Sequence, residues 1–315
     1  MPLDPQVKSM LEQMQALNLP PLQTLPIADA RAAALASIKS EAPQIEVGDT
    51  EDLTIPNPAG AIPIRIYHPQ GTGPFPILMF FHGGGFVLGN LDTHDHICRA
   101  LCRGSDHIVI SVDYRLAPEH KFPVAVDECL AATRWAHLHA RQLNGLADRI
   151  AVAGDSCGGN LAAVIALRCR DEAGPLLCGQ LLIYPITDYY DPPTPSYISN
   201  ADGYFLTRDI MIWFMDHYMN DQGEADNPWL APLRSSDLSG LPPALMIVAE
   251  YDPLRDEGIA YYEKLRAAGV DAGLSRYDGM IHGFYGNIGV LKQADSAVAE
   301  SCQWLRAVVR NEYNS

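Results

Sequence analysis

Apolar residues recur at helical spacing in the first 45 residues of the chain. Val7, Leu11 and Met14 lie three or four positions apart, and an alanine-rich run over residues 28–38 follows a proline-rich break. This spacing places the apolar side chains on one face of a helix. The pattern therefore predicts two amphipathic helices at the start of the chain.

Short runs of consecutive apolar residues follow, and they predict eight strands: Asp52–Ile55, Ile62–His68, Ile77–Phe81, Ile108–Val112, Ile150–Ala153, Leu181–Tyr184, Leu245–Ala249 and Leu274–Tyr277. Predicted helices stand between most of the later runs: Ala125–His139, Asn160–Arg170 and Asp256–Ala268, with Val290–Val309 after the last. Strands that are apolar throughout and separated by helices are typical of a parallel sheet covered on both faces. We therefore predict an α/β protein with a mostly parallel, eight-stranded sheet and an antiparallel start.

The segment between Pro185 and Pro242 interrupts this alternation. No run in it predicts a strand, but a proline-rich stretch precedes an apolar helix from Thr207 to Tyr218. Threonine is a residue type that caps helix N-termini through its side-chain oxygen. We interpret this segment as an insertion that lies over the ends of the strands.

Composition limits the functions that this chain can have. It has 315 residues, of which 48% are hydrophobic and 19% charged, as expected of a soluble globular enzyme. The formal net charge of −16 repels phosphate backbones, so no nucleic acid is expected as a partner. No run of about 18 apolar residues predicts a membrane span.

The start of the chain and its cysteines bear on location. The first 19 residues lack the apolar centre of a signal peptide, and the number of cysteines, seven, is odd. Disulfide frameworks of secreted domains usually have an even number. We therefore expect reduced thiols in a cytoplasmic protein.

The Gly-x-Ser-x-Gly pattern at residues 154–158 is the strongest indication of chemistry. It stands between an apolar strand run and a predicted helix. A strand–turn–helix of this kind holds the central residue in a strained conformation and exposes its side chain. Ser156 is therefore a candidate nucleophile, provided that a base removes its proton.

Three glycines follow His82, directly after a predicted strand. A glycine-rich turn there directs backbone N–H groups toward one point, as acyl transfer requires, because negative charge develops on the carbonyl oxygen. The alternatives are a flexible turn and a phosphate-binding loop. A phosphate loop usually has a helix directly behind it, often with a lysine, whereas Phe86, Val87 and Leu88 follow here. The oxyanion interpretation is therefore favoured.

Two more candidates follow predicted strands near the end of the chain. Asp252 comes after the seventh predicted strand and His282 after the eighth. The order Ser, Asp, His matches a hydrolase triad in which imidazole is the base and the carboxylate orients it. Glu250 and Asp256 compete for the acid role, although Asp256 lies nearer the following helix, where a carboxylate also serves as a cap.

Five motifs together resemble those of the bacterial hormone-sensitive-lipase-like esterases, also called family IV carboxylesterases. They are HGGGF at 82–86, DYRLAPEH at 113–120, GDSCGGNL at 154–161, YDPLRD at 251–256 and IHGF at 281–284. The resemblance implies an α/β-hydrolase fold and hydrolysis of short-to-medium acyl esters, without a metal or organic cofactor. It assigns the nucleophile, the base and its acidic partner to Ser156, His282 and Asp252. It assigns the oxyanion hole to the backbone N–H groups of Gly84, Gly85 and Cys157.

The resemblance also implies a helical cap made of residues 1–45 and 188–224, over a core made of residues 46–187 and 225–315. Four apolar residues of the second cap segment are candidate substrate-binding residues: Phe205, Leu206, Met211 and Met215. Core packing is the alternative for the methionines, since Met fills gaps in cores as readily as it lines pockets. A small-molecule ester is the expected ligand, and a homodimer through the edge of the last strand is the expected assembly.

Cys157 stands where the family usually has alanine. A nucleophilic role for its thiol is disfavoured, because the central position of the turn belongs to Ser156. Two interpretations of the thiol stay open: crowding of the site and sensitivity to oxidation.

Two groups of polar residues have mainly structural interpretations. A first group near the third predicted strand superficially resembles a metal site: Asp92, His94, Asp95, His96, Cys98 and Cys102. Zinc sites usually close a tetrahedron with ligands paired in short loops, so no metal is expected, and Asp92 is predicted to cap a helix. In the second group, Arg115 and Glu119 are predicted to hold loops through an ion pair.

Two other kinds of function stay open at this level. An amidase or lactonase could use the same machinery, and the motifs do not separate these activities. A non-catalytic small-molecule receptor could use the same fold, as the plant gibberellin receptors do, but they lack the catalytic histidine. The presence of His282 favours the enzyme.

Overall fold

The computed structural model describes residues 2–38 and 45–311. Within these ranges eight strands form one sheet: β1 Asp49–Ile55, β2 Ile62–His68, β3 Phe75–Phe81, β4 Ile108–Val112, β5 Gly145–Asp155, β6 Leu177–Ile183, β7 Ala244–Tyr251 and β8 Ala272–Ile281. The α-helices of the described ranges are α1 Pro5–Ala16, α2 Ile27–Ile38, α3 Asp95–Ser105, α4 Val124–His139, α5 Cys157–Asp171, α6 Pro195–Ser199, α7 Arg208–Tyr218, α8 Arg255–Ala267 and α9 Lys292–Asn311.

The sheet is mostly parallel, as predicted. Its strand order is β1-β2-β4-β3-β5-β6-β7-β8. The β1–β2 and β2–β4 pairs are antiparallel, and the pairs from β4 through β8 are parallel. Both the mostly parallel sheet and its antiparallel start are therefore confirmed. β8 lies at one edge of the sheet, where the sequence placed the last strand.

Each face of the sheet packs against its own hydrophobic core. In β3, Met79 and Phe81 belong to one core and Leu78 and Phe80 to the other, because successive side chains of a strand point to opposite faces. Burying one such side chain contributes about 1.5–3 kcal/mol. This two-sided burial explains why the central strands are apolar throughout.

The strands extend beyond their apolar runs. β8 was predicted to end at Tyr277, but it continues to Ile281. Beyond Tyr277 it runs through Asp278, whose carboxylate accepts a hydrogen bond from Arg276 at 2.6 Å, and Gly279, whose N–H donates to Glu250 at 2.7 Å. An edge strand tolerates such residues, and this hides its length from a hydrophobicity argument. As a result, His282 is the first residue after the strand.

The insertion between β6 and β7 is helical, as predicted. Thr207 caps α7, since its hydroxyl oxygen accepts a hydrogen bond from the Ile210 N–H at 3.2 Å. The short helix α6 was not predicted. α7 contacts the turn at Leu22–Thr24, between α1 and α2, so the insertion and the N-terminal helices meet.

Two local predictions were wrong. Asp92 does not cap α3, because its carboxylate instead pairs with Arg65 at 3.0 Å. Glu119 does not pair with Arg115 but with Arg31 on α2, at 2.7 Å, while Arg115 pairs with Glu128 on α4. In both cases the true partner is far away in sequence. No helix in the described ranges is long and apolar enough to cross a membrane.

Candidate active site

The turn between β5 and α5 places Ser156 in a strained conformation. Its φ is 57° and its ψ −122°, in a region that L-residues rarely adopt and that costs about 1–3 kcal/mol. The surrounding backbone holds it there, because the Ser156 N–H donates to the Ile183 carbonyl at 2.9 Å and its carbonyl accepts from the Asn160 N–H at 3.1 Å. The turn directs the hydroxyl away from both strand and helix.

Ser156, His282 and Asp252 form one hydrogen-bonded series. The Nε2 atom of His282 lies 3.0 Å from Ser156 Oγ, and its Nδ1 lies 2.7 Å from Asp252 Oδ2. All three residues are buried, Asp252 completely and Ser156 to 8% exposure. An imidazole held in this way can take the serine proton while the carboxylate stabilises the resulting cation.

The two competing carboxylates are engaged elsewhere. Glu250 accepts the Gly279 N–H at 2.7 Å, and Asp256 accepts the Ser196 N–H at 2.8 Å and pairs with Arg255. The second oxygen of Asp252 accepts the Leu254 N–H at 2.9 Å, which fixes the carboxylate toward the imidazole. Asp252 is therefore the carboxylate that contacts His282, whereas Glu250 and Asp256 do not.

The glycine-rich loop lies beside Ser156. The Gly83 N–H donates to Asp155 Oδ1 at 2.9 Å, and a β-carbon on Gly83 would overlap the other oxygen of this carboxylate. Gly85 has a φ of 61°, and the ring of Phe214 occupies the place where its β-carbon would lie. Asp155 therefore engages the first amide of the glycine-rich loop.

Asp155 itself has an ionic partner that sequence reasoning missed. Its Oδ1 lies 3.2 Å from Nε2 of His94, and both side chains are largely buried. Burial alone would raise the pKa of Asp155, but the adjacent His94 and the Gly83 N–H together hold that pKa below its usual value. The carboxylate is therefore charged at neutral pH. The sequence did contain one sign that Asp155 matters to the site, because an acidic residue stands directly before the candidate nucleophile.

His82, the first residue of the loop, is a neutral core residue. Burial lowers the pKa of its imidazole to about 3, with a further contribution from His94. Its ring stacks on Tyr114 with the centroids 4.3 Å apart, and the Tyr114 hydroxyl donates to the His82 carbonyl at 2.6 Å. These contacts anchor the start of the loop to the segment after β4.

Cys157 is buried beneath the loop rather than exposed in the site. Its Sγ accepts the Phe86 N–H at 3.2 Å and lies 3.6 Å from the Tyr114 hydroxyl. Burial raises the pKa of the thiol to about 12, so it stays protonated. A buried, protonated thiol is a poor nucleophile and a poor target for peroxide, and the expected sensitivity to oxidation is not supported.

Tyr184 is a second residue that sequence reasoning missed. It follows β6 with a positive φ of 34°, and its ring centroid lies 4.5 Å from that of His282. The contact limits rotation of the imidazole. The sequence contained no signal for it, because only the fold brings the end of β6 beside the end of β8.

One of the four predicted pocket residues is exposed and three are buried. Phe205 is half exposed, and a methyl group on Gly283 would come within 3.2 Å of its ring. Leu206, Met211 and Met215 are all buried in the same core, where they pack. Phe214, between them on α7, faces the glycine-rich loop instead and was not predicted.

The residues that resembled a metal site are separated by their contacts. His94 pairs with Asp155, and Cys98 and Cys102 are buried in one of the cores. Asp92 pairs with Arg65. In residues 2–38 and 45–311, no group of three or more suitable side chains could hold a metal ion.

Comparison with known proteins places this geometry in a family. A family model described as the α/β-hydrolase fold matches residues 78–286. The chain is 48% identical to esterase LipI of Mycobacterium tuberculosis over 265 residues, 82% of each protein. It is 49% identical over 248 residues to the carboxylic ester hydrolase LipN of the same organism, covering 77% of this chain and 65% of LipN. A crystallised hyperthermophilic esterase from Pyrobaculum calidifontis has a TM-score of 0.92 and 39% identity, over 98% of this chain and 99% of that one. The chain belongs to the hormone-sensitive-lipase-like family of α/β hydrolases.

Proposed function

We propose that this protein is a serine carboxylesterase with Ser156 as nucleophile, His282 as base and Asp252 as its partner. The observation that carries the proposal is the series Ser156 Oγ–His282 Nε2–Asp252, with separations of 3.0 and 2.7 Å, next to a glycine-rich loop. Relatives named esterase and carboxylic ester hydrolase support it. The chain spans 65% of the length of LipN, so that protein's activity is extended here as a proposal.

In the proposed reaction, His282 takes the proton of Ser156 as the oxygen attacks the ester carbonyl. The backbone N–H groups of Gly84, Gly85 and Cys157 donate to the oxygen that becomes negative. His282 then gives its proton to the leaving alcohol, and an acyl-enzyme forms. Water, activated by the same imidazole, releases the acid and restores the serine.

We further propose that residues 1–45 and 188–224 form a cap over this site; residues 1 and 39–44 of the first segment lie outside the described ranges. Two contacts support it: Arg31 of α2 donates to the Val87 carbonyl at 2.9 Å, directly behind the glycine-rich loop, and Phe214 of α7 lies against Gly85. Phe205 covers the other side, beside Gly283. Aromatic rings against both Gly85 and Gly283 support a pocket for short-to-medium acyl chains.

A series of p-nitrophenyl esters with acyl chains of graded length tests both the activity and the size of the pocket. We expect the highest kcat/KM on short-to-medium acyl chains, because the cap closes over the site. Phe214→Ala should shift the optimum toward longer chains, whereas Trp213→Ala, on the neighbouring position of α7, is the matched control. An optimum at about sixteen carbons or more in the wild type would contradict the proposed pocket.

Substrates with other scissile bonds distinguish the other possible activities. Anilide and lactone substrates of matched acyl size separate an esterase from an amidase or lactonase. A receptor would bind such compounds without turning them over. We expect turnover of the esters, since His282 is placed to act as a base.

We propose that the protein is cytoplasmic and forms a homodimer through β8. The support for the dimer is the position of β8 at the edge of the sheet, where backbone groups can pair with a second copy. Light scattering should give twice the chain mass of 34.4 kDa. A strictly monomeric mass at micromolar protein concentration would refute this assembly.

Cys157→Ala tests the proposed role of its backbone. Alanine keeps the N–H at position 157, so we expect kcat within about tenfold of the wild type. The buried Phe86 N–H loses its acceptor, so the free energy of unfolding should fall by about 1–2 kcal/mol. Cys157→Ser, which offers an acceptor again, is the matched control. A loss of activity of about 100-fold or more in Cys157→Ala would show that the thiol takes part in the chemistry.

A further inference from the structure

Three successive residues of the glycine-rich loop have a positive φ. The values for Gly84, Gly85 and Phe86 are 121°, 61° and 62°. Glycine adopts such values without strain, whereas a residue as bulky as phenylalanine does so rarely. A strained residue persists only where its surroundings hold it in place. Phe86 therefore needs contacts that a glycine at the same position would not need.

Backbone contacts hold Phe86 at both ends. Its N–H donates to Cys157 Sγ at 3.2 Å, and its carbonyl accepts the Ala117 N–H at 2.9 Å. The first of these bonds directs the Phe86 N–H at a buried thiol, away from the proposed oxyanion hole. The proposed donor at Gly85 is the preceding amide, and its direction depends on how the chain continues through Phe86.

The ring of Phe86 stacks on Tyr218, the last residue of α7. The two rings are parallel to within 4°, with their centroids 3.7 Å apart, and both residues are buried. Phe214 lies one turn earlier on the same face of α7 and packs against Gly85. One face of this helix thus places two aromatic rings against two consecutive residues of the loop.

The end of α7 is itself tied to the segment that follows β4. The Tyr218 carbonyl accepts the Phe122 N–H at 2.9 Å. The next carbonyl, that of Met219, accepts Lys121 Nζ at 2.6 Å, and Nδ2 of Asn220 donates to the Phe122 carbonyl at 2.8 Å. In the described ranges the buried Tyr218 hydroxyl has no hydrogen-bond partner. The ring, rather than the hydroxyl, is therefore the part of Tyr218 that acts on the loop.

We propose that Tyr218 is a positioning residue for ester hydrolysis: its ring holds Phe86 in the left-handed conformation that directs the Gly85 N–H toward the oxyanion. The inference rests on the proposed esterase function. It makes the C-terminal end of α7 a support of the oxyanion hole as well as a part of the cap. Loss of the ring should affect kcat more than KM, because the negative charge develops in the transition state.

Replacement of the ring tests this role. Tyr218→Leu removes the stack and keeps apolar bulk, so we expect kcat on a short p-nitrophenyl ester to fall about tenfold or more, with KM changed less than about threefold. Tyr218→Phe keeps the ring and loses only a hydroxyl without a partner, so it should restore kcat to within about twofold of the wild type. In the Phe86→Leu background, which has already lost the stack, Tyr218→Leu should change kcat less than about threefold.

Phe122→Leu is the matched control for packing. The ring of Phe122 also contacts that of Tyr218, at an interplanar angle of 80° with the centroids 5.8 Å apart, but it belongs to the segment after β4. This variant should lower Tm, as Tyr218→Leu does, and keep kcat within about threefold of the wild type.

Equal losses of kcat in Phe122→Leu and Tyr218→Leu would overturn the inference. A Tyr218→Leu enzyme whose kcat stays within about threefold of the wild type, or whose defect lies mainly in KM, would do the same. If Tyr218→Leu does not fold, Phe86→Leu must give the same split between kcat and KM. Failure of both variants to fold would reveal a core contact alone and would also overturn the inference.

Diethyl p-nitrophenyl phosphate separates this inference from the proposed function. Ser156 Oγ attacks its phosphorus, p-nitrophenolate leaves, and His282 takes the serine proton. The same donors stabilise the phosphoryl oxygen, so Tyr218→Leu should slow this release about tenfold, and Phe122→Leu should not. A wild type that reacts with the phosphate but turns over no ester would refute the proposed function and leave this comparison intact. An active wild type whose Tyr218→Leu variant reacts equally fast would refute only the role of Tyr218.

Discussion

Ser156→Ala is expected to lower kcat by about four to six orders of magnitude while the protein stays folded. The imidazole of His282 reaches the hydroxyl at the centre of the turn, at 3.0 Å. Alanine tolerates the backbone of the turn about as well as serine, so Tm should change little. Stopped assays on a short p-nitrophenyl ester, with active-site titration of the wild type, measure the loss.

Asp252→Asn and His282→Ala complete this test. Each should cost kcat several orders of magnitude, and double variants should be little worse than Ser156→Ala, because the three groups act as a unit. Ser296→Ala, on the exposed surface of α9, is the matched control and should keep full activity. Near-normal turnover in Ser156→Ala would end the serine-esterase interpretation.

Gly85→Ala is expected to lower kcat by about 10²–10³-fold, as loss of one oxyanion donor does in other acyl-transfer enzymes. Gly85 has a φ of 61°, which an alanine adopts at a cost, and its β-carbon would overlap the ring of Phe214. The loop must then shift, and its N–H no longer points at the developing charge. KM should change much less than kcat, since the ground-state carbonyl needs the donor less.

Phe214→Ala provides the control for this overlap. In the Gly85→Ala/Phe214→Ala variant the steric part of the defect is removed while the backbone cost at position 85 remains. We expect the double variant to recover about tenfold in kcat relative to Gly85→Ala. A Gly85→Ala enzyme within threefold of the wild type would show that this amide does not serve the oxyanion.

The local motifs allowed the candidate site to be predicted because each lies at the end of an apolar strand. In a mostly parallel sheet the carboxyl ends of the strands meet at one edge, so the sequence alone predicts that Ser156, Asp252 and His282 lie together. The existence of all eight strands was predicted. The central strands were the clearest, because they are apolar and buried, whereas β1 is largely exposed. The ends of the strands were less predictable: β8 continues past Tyr277 through Asp278 and Gly279, where no apolar run indicates a strand.

The partners of charged residues could not be predicted. Arg31 pairs with Glu119, and Asp155 pairs with His94, in each case between segments that are far apart in sequence. Neighbours in the chain, such as Arg115 and Glu119, were the natural assumption and were wrong. Charge attraction acts between any two groups that the fold brings close, so the sequence leaves many pairings open.

The sequence by itself determined the order and type of the elements, the strained turn at Ser156 and the glycine-rich loop, because these follow from short-range periodicity and from backbone conformations that few residues adopt. The tertiary structure alone decided which side chains surround them. Phe214 lies on Gly85, Tyr184 lies on His282, and the thiol of Cys157 turns away from the site to accept the Phe86 N–H. Such contacts depend on the packing of whole elements against each other, which no local pattern encodes.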